Sequence, residues 1–360
     1  MSEGAERNIA ASTTRPPVRG LHILGIKGMQ LEMDAKPLLN IGLFVYNGER
    51  FIEKAVDSIL NQTFTNFELI ISDNGSTDRT GEICQNYVRR DERVRYYRSE
   101  KNMGAGWNVR RVCELATAKY FKWAAADDIL EPDFLRQSIE ALESDETCVV
   151  AHSKTKVVDE NGTFIENYVW PMETDSSDAV KRFHEMLLND HMCYQIFGVM
   201  RMSALRQVPP QGSYVNSDGV LLAQMSLLGR FYEASEHLFV STRHSEQSSK
   251  TPPVRVKQPR FRLTNRYGTL PCPEWWDPAK TRSISFPEFR QLREYFLSIG
   301  RAPIQAGEKF RCYLLLFPWI KKHFRRMMKD VLIAADQVLY NLQVPKAAST
   351  DFKTVRGESA

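Results

Sequence analysis

A chain of 360 residues is longer than one ordinary domain, which predicts a core of about 200–250 residues with appended segments. At 42% hydrophobic and 26% charged residues it has enough apolar surface for a packed core, which excludes general disorder. Lys and Arg number 48 against 44 Asp and Glu, a net charge of +4, too small for a protein that coats nucleic acid, so nucleic acid is not an expected partner.

The first 19 residues are polar and unpatterned, and with the ambiguous stretch up to residue 35 they form an N-terminal tail, 1–35, expected to be flexible. From Leu38 the run LLNIGLFVY predicts a strand buried on both faces, closed by Asn47-Gly48. In ERFIEKAVDSILNQ, Ile52, Ala55, Val56, Ile59 and Leu60 recur at helical spacing and predict a helix with one apolar stripe. The unit repeats: FELIIS is a second strand, DNGSTD a turn with Ser76 as expected cap, and TGEICQNYVRR a second helix. VRYYR gives a third strand, NVRRVCELATA a helix, and YFKWAAA a fourth strand running into Asp127-Asp128. This alternation predicts an α/β fold with a mostly parallel sheet and ligands at the carboxyl ends of its strands.

Beyond this the order changes. Pro132 precedes the helix FLRQSIEALES, and CVVAHSKTKVVDENGTFIENYVW reads as two strands joined at Asn161-Gly162. SDGVLLAQMSLLG is a strongly apolar helix and FYEASEHLFVSTRH a strand, so a mixed second half is expected. The sequence then turns polar and Pro-rich, which puts the end of the main domain near 250. Residues 251–342 form a partly helical C-terminal extension and 343–360 a second tail expected to be flexible. The six cysteines are irregularly spaced without a Cys-x-x-Cys pair, no apolar run reaches 18 residues, and a hydrophobic signal core is missing; a cytoplasmic protein is expected.

Three strand ends carry chemistry. At the first, Val45-Tyr46-Asn47 with Glu49 offers an aromatic ring to stack on a base and polar groups beside it, although a plain turn explains these residues equally. At the second, the Asp73 carboxylate is suited to accept the imide N–H of a uracil-like base. Ser76 and Asp78 read as cap residues, and Asp73 has less structural reason to be acidic. At the third, Asp127 and Asp128 repel each other unless a cation lies between them and another anion, and a diphosphate with Mg²⁺ or Mn²⁺ matches that need. A solvated loop pair is the competing reading.

Taken together, Tyr46-Asn47, then DNGSTD about 30 residues later, then Asp127-Asp128 about 50 residues further, resemble the inverting family-2 glycosyltransferases. The resemblance spans roughly 38–245 and is most specific in QTFTNFELIISDNGSTDRT. It implies a GT-A fold, with 36–250 as the catalytic domain, a nucleotide-diphosphate sugar donor with UDP-sugar favoured, and a glycan or lipid-linked acceptor. By the same resemblance Tyr46 and Asp73 hold the base with Val45, Asn47 and Glu49 nearby. Asp127 ligates Mn²⁺ or Mg²⁺, with Asp128 and His244 as further metal residues. Ala125 stands where the family's first acid is usual, which leaves that acid's contact in doubt. The family's catalytic base lies near a helix start after the donor half, which points to Asp218 in NSDGVLLAQ, against the alternative of a simple helix cap. Arg201 is open between an acceptor contact and an ion pair.

The stretch FRCYLLLFPWIKKHFRRMMKDVLIAADQVLY, 310–340, mixes apolar and aromatic residues with Lys321, Lys322, Arg325, Arg326 and Lys329. It fits a helix lying on the inner face of an anionic membrane, or equally a helix packed on the catalytic domain with a solvated basic face; Pro318 is expected to break or kink it. Trp275-Trp276 is open between an acceptor wall and a packing lid. Two rival functions stay in view. A nucleotidyltransferase needs a basic Gly-rich loop where YNGERF stands, and a non-catalytic sugar-nucleotide binder would fit Ala125.

Overall fold

The structure, a computed structural model, describes residues 36–245, 273–280 and 283–343; the two expected tails and most of the Pro-rich segment after 245 lie outside these. Its first half alternates as the sequence predicts: β1 (Leu39–Val45), α1 (Ile52–Leu60), β2 (Phe67–Asp73), α2 (Thr80–Arg90), β3 (Val94–Arg98), α3 (Ala105–Glu114) and β4 (Tyr120–Ala125). These four strands are parallel, in the order β3-β2-β1-β4. Their register sets Val45 opposite Asp73 and Phe44 opposite Ala125, so three strand ends reach the same edge of the sheet together.

The second half is mixed. It holds β5 (Ile129–Leu130), α4 (Phe134–Ser144), β6 (Cys148–Asp159), β7 (Phe164–Tyr168), α5 (Ala179–Leu188), β8 (Val199–Arg201), α6 (Met202–Leu205), α7 (Ser217–Leu228) and β9 (Arg230–Arg243). The nine-stranded sheet continues from β4 through β8, β6 and β9 to β5, with β7 paired to β6. β8 runs antiparallel to β4 and β6, whereas β6 and β9 are parallel. The short β5 pairs with the end of β9, Ile129 against Val240, which folds the chain just after Asp127-Asp128 against the chain leading to His244.

Two apolar layers cover the sheet. On one face Ile52, Val56 and Ile59 of α1, Ile83 of α2 and Leu135 of α4 pack on Ile41, Leu43 and Ile71. On the other, α3, α5 and α7 pack on Phe121, Trp123 and Val150. α7 is buried almost all round, which is why its sequence is apolar without a polar stripe.

After α8 (Pro273–Trp276) come α9 (Pro287–Arg301) and α10 (Ala306–Gln343). Tyr295, Ile299, Cys312, Leu316, Trp319 and Met327 are buried in the same layer as Phe183, Leu222 and Met225, so both helices share the core of the sheet's second face. α10 runs through Pro318 unbroken, contrary to expectation. A mid-helix proline costs about 3 kcal/mol, and the buried Cys312, Leu316, Trp319 and Met327 on both sides of it hold the helix together. Among the described residues no helix is long and apolar enough to cross a membrane, and the five described cysteines are free.

Three local expectations need correction. The helix read from Asn108 begins at Ala105, because Gly104 at φ 90° allows the chain to turn in earlier. Ser76 does not cap α2, which starts at Thr80; its hydroxyl is used elsewhere, as described below. Arg201 makes no ion pair among the described residues: it donates to the carbonyls of Cys148, Leu142 and Asp145 and ties the end of α4 to β6.

Candidate functional site

The loops leaving β1 and β2 are laced together. Asn47 N–H donates to Ser76 Oγ at 2.9 Å and Thr77 N–H to Asn47 Oδ1 at 2.8 Å. Glu49 N–H donates to Asp78 Oδ2 at 3.1 Å, while Arg79 N–H donates to Glu49 Oε2 at 2.8 Å. Asn47 thus adopts φ 53°, a left-handed conformation that asparagine tolerates better than most residues. The side chains of Asn47 and Glu49 are spent on fixing the rim, and Val45 is a buried strand residue beneath it. Tyr46, 46% exposed, is left as a free aromatic surface there.

Asp73 is fully buried and has more structural work than the sequence implies. Its Oδ1 accepts Ser76 N–H at 2.8 Å and its Oδ2 accepts Tyr96 O–H at 2.7 Å, with Arg98 Nε at 3.8 Å. Burial, then the hydrogen bond to Asp73, push the Tyr96 phenol well up, so it stays a donor. Each carboxylate oxygen keeps a second lone pair for a ligand N–H. Below, Asn108 of α3 donates to the carbonyls of Val45 and Ser72 at 3.1 and 3.0 Å and locks both strand ends to one helix. Trp276 comes to the neighbouring loop, where a Cβ on Gly104 would meet its carbonyl oxygen at 2.5 Å. The Trp275 and Trp276 rings meet edge-on at 4.6 Å.

Past β4, Asp127 Oδ2 lies 2.8 Å from His244 Nε2. The imidazole is seated on the Phe51 ring at 4.4 Å, and its Nδ1 is buried without a partner. Asp128 turns the other way: its Oδ1 accepts Thr242 N–H at 3.1 Å, and burial, with the Asp127 charge second, raises its carboxyl well above the usual range. Behind it Lys122 is fully buried, donates to the carbonyls of Trp123 and Phe197, and lies over the Phe134 and Phe239 rings at 4.8 and 5.7 Å. Burial pulls its ammonium down to about 7.

Among the described residues no three His, Cys, Asp or Glu side chains are gathered as a self-sufficient metal site. Asp127 and His244 do fit a shared ion: one carboxylate and one imidazole converge, and a divalent ion on a diphosphate takes its other ligands from phosphate and water. Asp128, half-buried, is turned instead to the backbone of β9.

Asp218 lies one residue into α7, whose cap position is Asn216 at φ 61° without a side-chain cap bond. Its Oδ1 accepts the adjacent Gly219 N–H at 2.9 Å, a contact inside the first turn of α7 and not from the cap position. Burial raises its carboxyl, and the Cys193 thiol, itself pushed well up by burial, hydrogen-bonds to it. His191, whose basicity burial lowers, is close enough to feel the Asp218 charge. Trp170 stands edge-on between His191 and His152, with ring centroids 5.4 and 5.9 Å away. His191 Nε2, Trp170 Nε1, His152 Nε2 and Gln195 Oε1 are all buried without a protein partner. Sequence reasoning missed Tyr96, Asn108, Lys122, Cys193 and His191. Only Lys122 carried a signal, a lone cation inside the apolar strand YFKWAA.

Comparison with known proteins agrees with this geometry. Residues 41–208 match the model of Glycosyl transferase family 2, a region that contains Tyr46, Asp73 and Asp127 and stops before Asp218 and His244. Over 137 residues the chain is 34% identical to the chondroitin synthase of Escherichia coli, covering 38% of this chain and 20% of that one. Over 139 residues it is 30% identical to an uncharacterized glycosyltransferase of Methanocaldococcus jannaschii, covering 38% and 48%. The chain thus spans less than half the length of either relative. The crystal structure of S. aureus TarS 1–349 in complex with UDP superposes with a TM-score of 0.53 at 17% identity, over 80% of this chain and 72% of that one. Residues 41–208 are therefore a glycosyl transferase family 2 domain, and the sheet they begin is that of the GT-A fold.

Proposed function

We propose that this chain transfers a sugar with inversion from a UDP-sugar to a glycan or lipid-linked acceptor, assisted by Mn²⁺ or Mg²⁺. The observation that carries the reading is the level register of the β1, β2 and β4 ends, which puts Tyr46, Asp73 and the Asp127–His244 pair along one sheet edge inside or beside the family match. The UDP bound to TarS and the polysaccharide named for the E. coli relative favour a UDP-sugar and a glycan. In this reading 36–250 form the catalytic domain and 251–342 an extension on the acceptor side, in the cytoplasm at the inner face of an anionic membrane.

Tyr46 stacks on the base and Asp73 accepts its imide N–H, on a rim already ordered by the Asn47 and Glu49 bonds. Asp127 and His244 would hold the ion, which would offset the negative charge on the departing diphosphate. Asp218 takes the proton of the acceptor hydroxyl while that oxygen bonds to the anomeric carbon and the carbon–diphosphate bond breaks on the opposite face. Burial favours this role, because a carboxylate of raised basicity is a better proton acceptor near neutral pH. The unpartnered polar atoms of His191, Trp170, His152 and Gln195 suit a hydroxyl-rich acceptor, with the indole as a stacking surface.

The test is release of nucleoside diphosphate from a panel of UDP- and GDP-sugars, with and without Mn²⁺, beside thermal shifts with UDP. Metal-dependent UDP release supports the reading. If no nucleotide is cleaved and none raises the melting temperature, the reading fails and a scaffold role takes its place.

A further inference from the structure

The face of α10 that points away from the core is apolar along most of its length. Phe310, Leu314, Phe317, Phe324, Met328 and Val331 are 64, 46, 69, 55, 46 and 41% exposed. Their spacing of three, four and seven residues, at about 100° per residue, gathers them into one stripe roughly 100° wide. At about 150–250 Å² per ring the three phenylalanines alone leave about 300–500 Å² of apolar surface bare. That already matches the largest apolar patch of a typical monomer, and such patches mark a docking surface.

Charge identifies what docks. Between Glu308 and Asp330 the sequence has seven Lys and Arg and no acid, and Asp330 itself is buried, with an oxygen accepting Glu288 N–H. Lys321 lies within the stripe and Arg325 beside it, both exposed and without an ion pair among the described residues. Lys322 is anchored on Asp190 at 2.9 Å, on the side toward the body of the protein. A second copy of this helix would bring Lys321 and Arg325 against the same charges with no acid to answer them. An anionic lipid surface supplies both an apolar layer for the rings and negative headgroups for the cations.

We propose that α10 is a membrane-docking helix, lying in the interface of an anionic bilayer with Phe310, Phe317 and Phe324 inserted and Lys321 and Arg325 at the headgroups. The proposal stands on the helix and its charge, independently of the donor chemistry.

The test is co-sedimentation of the full chain with vesicles of phosphatidylcholine alone and with phosphatidylglycerol mixed in, at low and high salt. Binding is expected with phosphatidylglycerol and to weaken as salt rises. Phe317→Ser with Phe324→Ser, and separately Lys321→Glu with Arg325→Glu, are each expected to lower it about tenfold or more. All four positions are exposed, and an unchanged thermal shift with UDP and Mn²⁺ verifies the fold and the donor site of each variant. Binding to neither vesicle, or binding that both variants keep, overturns the proposal. So does a dimer in sedimentation velocity that Phe317→Ser with Phe324→Ser dissolves, since the stripe would then belong to a second copy. Phosphatidylglycerol binding without any nucleotide response would sink the transfer reading and leave this one standing.

Discussion

Replacing Asp127 by Asn separates the metal role proposed for this residue from its structural one. The amide keeps an oxygen for His244 Nε2–H, now 2.8 Å from the carboxylate, so the link from β4 to the end of β9 survives. A hydrogen bond to a charged group is worth about 1.5–3 kcal/mol and a neutral one about 1, so the unliganded variant loses about 1 kcal/mol. That is about 2–4 °C in melting temperature for a domain of this size. In the wild type, UDP and Mn²⁺ at a hundredfold excess over Kd are expected to add about 2.7 kcal/mol, or about 5–10 °C. Losing an anionic metal ligand is expected to cost at least about a hundredfold in affinity, the upper end of what even an outer partner costs. At the same concentrations that leaves about 0.4 kcal/mol, about 1 °C. Differential scanning fluorimetry with UDP, with and without Mn²⁺, reads both quantities. A Mn²⁺-dependent increment that persists in full in Asp127→Asn would falsify the metal assignment.

Three further substitutions test the other parts of the site. Asp218→Asn is expected to lower transfer by about 10²–10⁴-fold while leaving UDP binding intact. Because burial raises the Asp218 carboxyl above its ordinary 3.8, the acid limb of the wild-type rate profile should fall above that value; a limb at or below it sinks the assignment. Tyr46→Ala should weaken UDP by about 1–3 kcal/mol of lost stacking, measured by calorimetry, with little change in stability because the ring is 46% exposed. Equal UDP affinity in the two proteins would remove Tyr46 from the base site. For Lys122, burial lowers the ammonium from 10.5 to about 7, so its folding cost is absent above 10.5, grows as pH falls, and is complete below about 7. Lys122→Met should therefore gain on the wild type by on the order of 2–3 kcal/mol between about pH 9 and about pH 7, and a gap that does not change with pH refutes this.

The parallel half of the fold was legible because each strand is a continuous apolar run and each helix has one stripe: α2, β3 and α4 begin and end where the periodicity places them. Strand ends were legible for the same reason, and with them the placement of Tyr46, Asp73 and Asp127 at one edge of the sheet. What was not legible is what each polar side chain does once the ends converge. Asn47 and Glu49 look like ligand residues in the sequence, yet their oxygens are occupied by Thr77 and Arg79 N–H groups from a loop about 30 residues away. Tyr96 sits half-buried in a short, mostly exposed strand, and nothing local marks it as the partner of Asp73. Asp127 and Asp128 are neighbours in sequence but face an imidazole and a backbone amide respectively, a division fixed by the pairing of β5 with β9. The long final helix defeated the proline rule because burial on either side of Pro318 outweighs one missing bond.

The first turn of α7 is tied to α9 by a single amide contact, Asn216 Nδ2 to Gln291 Oε1 at 2.9 Å, and Gln224 Nε2 reaches Ser298 Oγ at 2.7 Å further along. The helix bearing Asp218 is thus seated on α9 by two side-chain hydrogen bonds as well as by apolar packing. A chimera that keeps residues up to 250 and borrows a foreign tail would have to bring its own amide opposite Asn216 and hydroxyl opposite Gln224. Without them it would inherit the parallel half of the sheet intact and a loosened seat for Asp218, the proposed proton acceptor.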